Sequence, residues 1–234
     1  MHYPRGNEND ADMLAIWGDA CGSERILQDI PRLRPRVLQI DNGYLRRAVY
    51  TGYYGLSYGA RQCHDYLWHY YNFPSPARFR ALNETILPWR RDGNTILILA
   101  PSHKQGRFLG INIDQWARHI LSQVETHTKK RVRIRMKTYG IDTPLREVLR
   151  DEPIFAAVGH STKGLVDCLL MGIPVFNTVP CVTERMGLQD LSKIEEPYYP
   201  ENRQEFFERL AGHQFLLSEI AEGLPFQPGV MPCV

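Results

Sequence analysis

The sequence predicts an α/β protein whose C-terminal half is a doubly wound parallel sheet. Two runs, TILILA at 95–100 and PIFAAV at 153–158, are continuously apolar and rich in β-branched residues. Runs of that kind read as strands buried on both faces, the hallmark of parallel sheets. Segments with helical apolar spacing separate them, and the connections are short. A β-α-β-α-β-α-β order with short connections implies right-handed crossovers and helices on both faces of the sheet.

The elements follow in order. After TILILA comes a loop, PSHKQGRFLG, and then a helix at 113–126. Ile113, Trp116, Ala117, Ile120, Leu121 and Val124 share one helical face, and Asp114 sits in the first turn, where the helix dipole favours an anion. Residues 131–137 (RVRIRMK) alternate strictly, so Val132, Ile134 and Met136 face one way and four cations the other. A short helix at 143–150 starts on Thr143 as N-cap with Pro144 at its first position and Glu147 near the capping-box position. PIFAAV is the next strand, residues 159–162 are a turn, and 163–171 form a helix closed by Gly172. IPVFN at 173–177 is a fourth strand. Residues 204–222 read as one long amphipathic helix carrying Phe206, Phe207, Leu210, Phe215, Leu216 and Ile220.

The first half is less regular. MLAIW at 13–17 and VLQI at 37–40 read as strands with a helix at 23–30 between them, again β-α-β. Residues 48–58 suggest a strand with a tight turn at Gly52 or Gly55, 61–71 a helix, and 74–87 a helix and connector. The polar, turn-rich PWRRDGN at 88–94 marks a domain boundary, giving an N-terminal α/β domain at 1–92 and a C-terminal domain at 93–234.

Composition sets outer bounds. The chain of 234 residues is 43% hydrophobic and 23% charged, an ordinary globular balance. A net charge of +2 gives no bulk argument for nucleic acid, although Lys129, Lys130, Arg131, Arg133, Arg135 and Lys137 crowd one segment. The five cysteines are scattered without a CxxC pair, so reduced thiols are expected rather than zinc or disulfides. No signal-like N-terminus or membrane-length apolar run occurs, and a cytoplasmic protein is expected, of the host's cytoplasm if phage-encoded.

Ligands of open α/β sheets sit at the carboxyl ends of strands. After PIFAAV stand His160, Ser161, Thr162 and Lys163, at a helix start. Unpaired N–H groups and the positive helix end suit an anion there, and the two hydroxyls and a cation reinforce it. The same residues equally suit an ordinary turn and cap. His103 and Lys104 follow the TILILA strand in the equivalent place, or decorate a solvated loop. Arg135 and Lys137 end the alternating strand, or defend an exposed edge by charge. Convergence of these basic strand ends favours a diphosphate pocket. In the first half, Asp19 and Asp41 are candidate general bases toward an acceptor hydroxyl, or else turn and cap carboxylates. Tyr44, Arg46 and Arg61 belong to an aromatic, arginine-containing region that would contact an acceptor, or pack a core. Neither an HExxH motif nor a metal-like histidine spacing is present, so no metal is expected.

The stretch from residue 153 to 223, with HST-K-G followed by a helix ending LLMGIPVF, resembles the nucleotide-sugar-binding domain of GT-B glycosyltransferases, in particular those of capsule and lipopolysaccharide assembly. The segments IDNGYLRR and YYGLSYGAR, and the tail DLSKIEEPYYPENR with LAGHQFLLSEIAEG, are similar to small phage-encoded glycosyltransferase-like proteins. The resemblance implies two Rossmann-like parallel-sheet domains facing a cleft, the N-terminal one small. It implies that His160, Ser161, Thr162 and Lys163 hold the donor phosphates, helped by Lys137 and Arg135. No clear acidic residue stands at the family's usual ribose-binding spacing after the helix, a departure from its pattern; Glu184 and Asp190 are the only nearby options. The implied activity is metal-independent sugar transfer from a nucleotide-sugar substrate, with no other cofactor and no membrane partner. The favoured acceptor is a hydroxymethylated pyrimidine in DNA. A glycan acceptor, a nucleotide-sugar epimerase and a non-catalytic nucleotide- or nucleic-acid-binding protein are the alternatives. Oligomeric state is not specified by the sequence.

Overall fold

A computed structural model of the chain describes residues 14–17, 37–45, 52–58, 75–137, 143–227 and 230. In chain order the elements are β1 (Leu14–Trp17), β2 (Val37–Asn42), β3 (Tyr54–Tyr58), α1 (Pro76–Leu82), β4 (Thr95–Leu99), α2 (His103–Leu109), α3 (Ile113–His127), β5 (Arg131–Arg135), α4 (Leu145–Asp151), β6 (Ile154–Gly159), α5 (Lys163–Leu170), β7 (Val175–Asn177), β8 (Gly187–Leu188), α6 (Arg203–Gly212), β9 (Gln214–Phe215) and α7 (Leu217–Ala221). Contacts divide the chain into one unit of Met1–Phe73 with His213–Val234 and a second of Pro74–Gly212.

The second unit is built on a five-stranded sheet in the order β5-β4-β6-β7-β8, with every neighbouring pair parallel. Register explains why TILILA and PIFAAV are apolar throughout. Ile98 lies beside Ile134 and Val158, which lies beside Phe176, and these residues form one core with Ile120 and Val124 of α3. The residues between them, Leu97, Leu99 and Ala157, are buried as well, because α4 and α5 cover the opposite face, where Leu99 and Leu145 both approach Gly164. Each fully buried Ile, Val or Phe contributes roughly 1.5–3 kcal/mol relative to exposure. β5 pairs only with β4, so the alternating strand is a sheet edge; Val132 and Ile134 pack against the core, and all of its residues but the exposed Arg131 are partly buried.

The first unit differs from the parallel, Rossmann-like arrangement expected of it. β1 and β2 are parallel, as a β-α-β connection requires. β3 then runs antiparallel to β2, and β9 antiparallel to β3, so the four-stranded sheet is mixed. Gly55, a candidate turn residue, sits within β3 opposite Asp41. The core of this sheet joins Leu38, Leu56 and Phe215 to Ile220 and Leu224. The helices expected at 23–30 and 61–71 lie outside the described residues.

Three further differences can be traced to particular hydrogen bonds. The expected helix at 204–222 is broken into α6, β9 and α7, because Gln214 accepts backbone N–H donation from Tyr44 and Leu45 and donates to the Leu45 carbonyl at 3.2 Å. That locks Gln214 and Phe215 into the first sheet. The division also falls elsewhere than 92/93: residues 75–94 belong with the second unit, where Leu87 N–H donates to Leu170 O at 2.9 Å and Arg90 N–H to Gly172 O at 2.8 Å. Residues 103–109, expected as loop, form α2, with the Ser102 hydroxyl accepting from Gln105 N–H at 3.1 Å. Among the described residues no helix is long and apolar enough to cross a membrane.

Candidate functional site

Relative to its first strand, β4, the second sheet grows outward in two directions, to β5 on one side and to β6 on the other. The crevice outside the carboxyl ends of β4 and β6 is therefore the topological switch point, where doubly wound sheets take ligands. β4 ends at Leu99, three residues before Ser102, the cap of α2. β6 ends at Gly159 and is followed by His160 and Ser161, before Thr162 caps α5 by accepting from Gly164 N–H at 3.3 Å. Ser161 has φ +46°, the left-handed region that costs a non-glycine residue energy. Its carbonyl accepts from Gln105 Nε2 at 3.4 Å, so the two strand-end turns are linked. Sequence reasoning missed Gln105, because the bond joins residues 56 apart.

The four turn residues divide by role. Ser161, Thr162 and Lys163 stand half-buried at the start of α5. His160 is only 7% exposed, and its Nδ1 lies 3.1 Å from the Thr178 hydroxyl. The edge of its ring meets Trp116 of α3, with centroids 5.7 Å apart. Burial pushes the imidazole below its ordinary pKa, so it is neutral at pH 7 and supplies hydrogen bonding rather than positive charge. Its ring faces the α3 side of the sheet.

The remaining basic candidates are less concentrated than the sequence suggested. His103 opens α2 and is exposed, and Lys104 follows it in the helix. An Arg135 guanidinium nitrogen donates to Thr143 O at 2.6 Å, tying the edge strand to the segment before α4. Lys137 is exposed beyond the end of β5. Neighbouring cations are matched by carboxylates: Arg133 pairs with Glu152, and Lys130 with Glu195 at 3.0 Å.

A groove of about 530 Å³ runs along α3 from Trp116 past His119 and Gln123 to His127. Residues 189–192 line it as well, as do His160 and Thr178, each directly after the carboxyl end of a strand, β6 and β7. Asp190 lines it, and Glu184 does not. Hydrogen bonds from Ser192, whose N–H lies 3.0 Å from Asp190 Oδ1, hold that carboxyl below its ordinary pKa. Trp116, which the sequence places on the apolar face of the helix, is also a groove residue, a role its core-like spacing does not signal. Among the described residues no three His, Cys, Asp or Glu side chains gather as a metal cluster would.

In the first unit, Asp41 is half-buried in β2, with Oδ1 accepting from Asn42 N–H at 2.7 Å. Tyr44, a candidate acceptor contact, is an interior residue at 5% exposure. Asp19, Arg46 and Arg61 lie outside the described residues.

Compared with solved structures, the chain matches Thermosulfurimonas dismutans KpsC, a beta Kdo 2,4 transferase, with a TM-score of 0.56 over 96% of this chain and 90% of that one. The fold is glycosyltransferase-like. At 12% sequence identity the likeness concerns the fold alone. No protein-family model and no curated protein sequence matches the chain.

Proposed function

We propose that the chain is a glycosyltransferase that moves a sugar from a nucleotide-activated donor to a hydroxyl of a glycan. The observation that carries this reading is the left-handed Ser161 turn at the switch point, in a chain with a glycosyltransferase-like fold. Helix-start N–H groups, the Ser161 and Thr162 hydroxyls and Lys163 would bind the donor phosphate. They stabilise the negative charge that develops on it as the bond to the sugar breaks. His103 is near enough in the topology to add to that field, since α2 and α5 both begin at this crevice. Charge at the turn does the work a metal would otherwise do, so transfer should persist with a chelator present.

Asp41 or Asp19 would take the proton of the acceptor hydroxyl. DNA as acceptor rested on the arginine- and tyrosine-rich first half. There Tyr44 is interior, and the solved structure that the fold resembles is a Kdo transferase, so a glycan is the acceptor class adopted.

The test is a screen of nucleotide-sugars, each with and without a glycan or hydroxymethylated DNA. Transfer needs donor and acceptor, epimerisation needs donor alone, and a binding protein turns over neither. Ser161→Asp should abolish donor binding by charge repulsion, with the circular dichroism spectrum unchanged. Undiminished donor affinity in that variant removes the phosphate assignment.

A further inference from the structure

We infer that Cys181, in the loop after β7, is a positioning residue for the Ser161 turn: its thiol takes the Ser161 N–H and passes its own hydrogen to Asn177, which keeps the turn left-handed. The inference rests on the reading of that turn as the phosphate site. Asn177 ends β7 beside Gly159, the last residue of β6, and is fully buried. Its Oδ1 accepts from the Thr183 hydroxyl at 2.6 Å and from the Cys181 thiol at 3.0 Å, while Nδ2 donates to Thr183 O at 3.2 Å. Thr183 and Cys181 are buried as well. Burial holds the thiol above its ordinary pKa, so the sulfur carries its hydrogen at pH 7 and can donate it.

The loop closed in this way reaches three consecutive residues at the end of the neighbouring strand. Thr178 N–H donates to Gly159 O at 3.0 Å, the Thr178 hydroxyl meets His160 Nδ1 at 3.1 Å, and the Cys181 sulfur receives the Ser161 N–H. A loop closed for its own stability alone has no need of these bonds. From the other side, Gln105 donates to Ser161 O at 3.4 Å. Both backbone polar groups of Ser161 are therefore held by side chains, from the segments that follow β4 and β7, the two strands flanking β6. A non-glycine residue stays at φ +46° only where its surroundings over-determine it. Without the Cys181 bond the turn populates other backbone conformers, and apparent affinity for a phosphate falls with the fraction that remains competent.

Replacing Asn177 would strand Thr183 in the interior and test folding first, so the variants are made at Cys181. Serine keeps a donor and an acceptor at that place, and alanine keeps neither. Two quantities are measured on the full chain: hydrogen exchange of the Ser161 amide by NMR, and inorganic pyrophosphate affinity by calorimetry. The Leu165 amide, which donates to Thr162 O at 3.1 Å, is the exchange reference. In Cys181→Ala, Ser161 exchange should quicken about fivefold and pyrophosphate bind about fivefold more weakly, the equivalent of one net hydrogen bond, with Leu165 unchanged. Cys181→Ser should bring both back to within about twofold of wild type, because the hydroxyl restores donor and acceptor. Unchanged Ser161 exchange in Cys181→Ala overturns the inference, and so does an equal rise at Ser161 and Leu165, which marks general loosening. Wild-type pyrophosphate affinity in Cys181→Ala also overturns it and leaves the phosphate site standing. A wild-type protein that binds no pyrophosphate overturns the phosphate reading, and the role of Cys181 falls with it.

Discussion

Arg146 of α4 donates from Nε to Asp167 of α5 at 2.9 Å, and the carboxylate it meets is 1% exposed. The same guanidinium contacts both oxygens of Glu84, at 3.1 and 2.9 Å. Burial alone would lower the Arg146 pKa, but the two carboxylates outweigh it and raise it. Arg146→Met leaves two carboxylates without their counter-charge. The expected cost is about 3 kcal/mol, near the low end for a buried pair because the guanidinium is partly solvated. Urea unfolding measures it. Adding Asp167→Leu should recover part of the loss, and a double variant no better than the single one would mean the pair is not coupled.

Gly172 closes α5 with φ +75°, and a Cβ there would lie 1.9 Å from the Pro88 carbonyl oxygen. The obstruction is backbone, held in place by Arg90 N–H on Gly172 O. Gly110, with φ +68°, has nothing within 4 Å of its Cβ position. Gly110→Ala should therefore cost only the left-handed penalty, about 1 kcal/mol, and Gly172→Ala clearly more. Thermal melts of the two variants compare them directly. Equal shifts would remove the close approach as a cause.

What could be read in the sequence follows from which contacts are local. TILILA, PIFAAV and the helix stop at Gly172 announce themselves because burial on two faces and a left-handed stop are properties of short segments. The alternation of RVRIRMK gave its two faces, and the edge position of β5 agrees with the charge on one of them. By contrast, Phe215 has helical spacing with Phe207 and Leu210, yet it pairs with Tyr54 in a strand. Only a contact spanning most of the chain reverses that preference. The site divides the same way. Ser161 to Lys163 were legible as a strand-end turn before a helix, whereas Gln105 and Trp116 join it through the sheet order alone.

Ser161 pays conformationally for its place, and the penalty should be measurable. Ser161→Gly removes a non-glycine residue from φ +46°, so folding stability should rise by up to about 1 kcal/mol in urea titrations. Ser161→Val should lower it. If the turn binds phosphate, Ser161→Gly also loses a hydroxyl donor, and pyrophosphate affinity should fall as stability rises. Opposed changes of that kind mark a position kept for binding rather than for folding. A glycine variant less stable than the parent would show that the turn is not strained.

His160 should make stability depend on pH in a narrow window. Its ring, packed against Trp116 and Thr178, has a pKa lowered by burial from the ordinary 6.5. Above pH 6.5 the ring is neutral in folded and unfolded chains alike, and its contribution is constant. As pH falls below 6.5 the unfolded chain takes up a proton that the folded one resists. The unfolded state then binds more protons, and stability falls with falling pH until the folded pKa is passed, where it levels off. His160→Gln keeps a polar partner for Thr178 without a titrating ring. Urea midpoints for wild type and His160→Gln, taken at intervals from pH 5 to 8, should converge in slope above pH 6.5 and separate below it. Parallel curves throughout would mean that the imidazole is solvated enough to titrate normally, and that it is available to carry charge to the Ser161 turn after all.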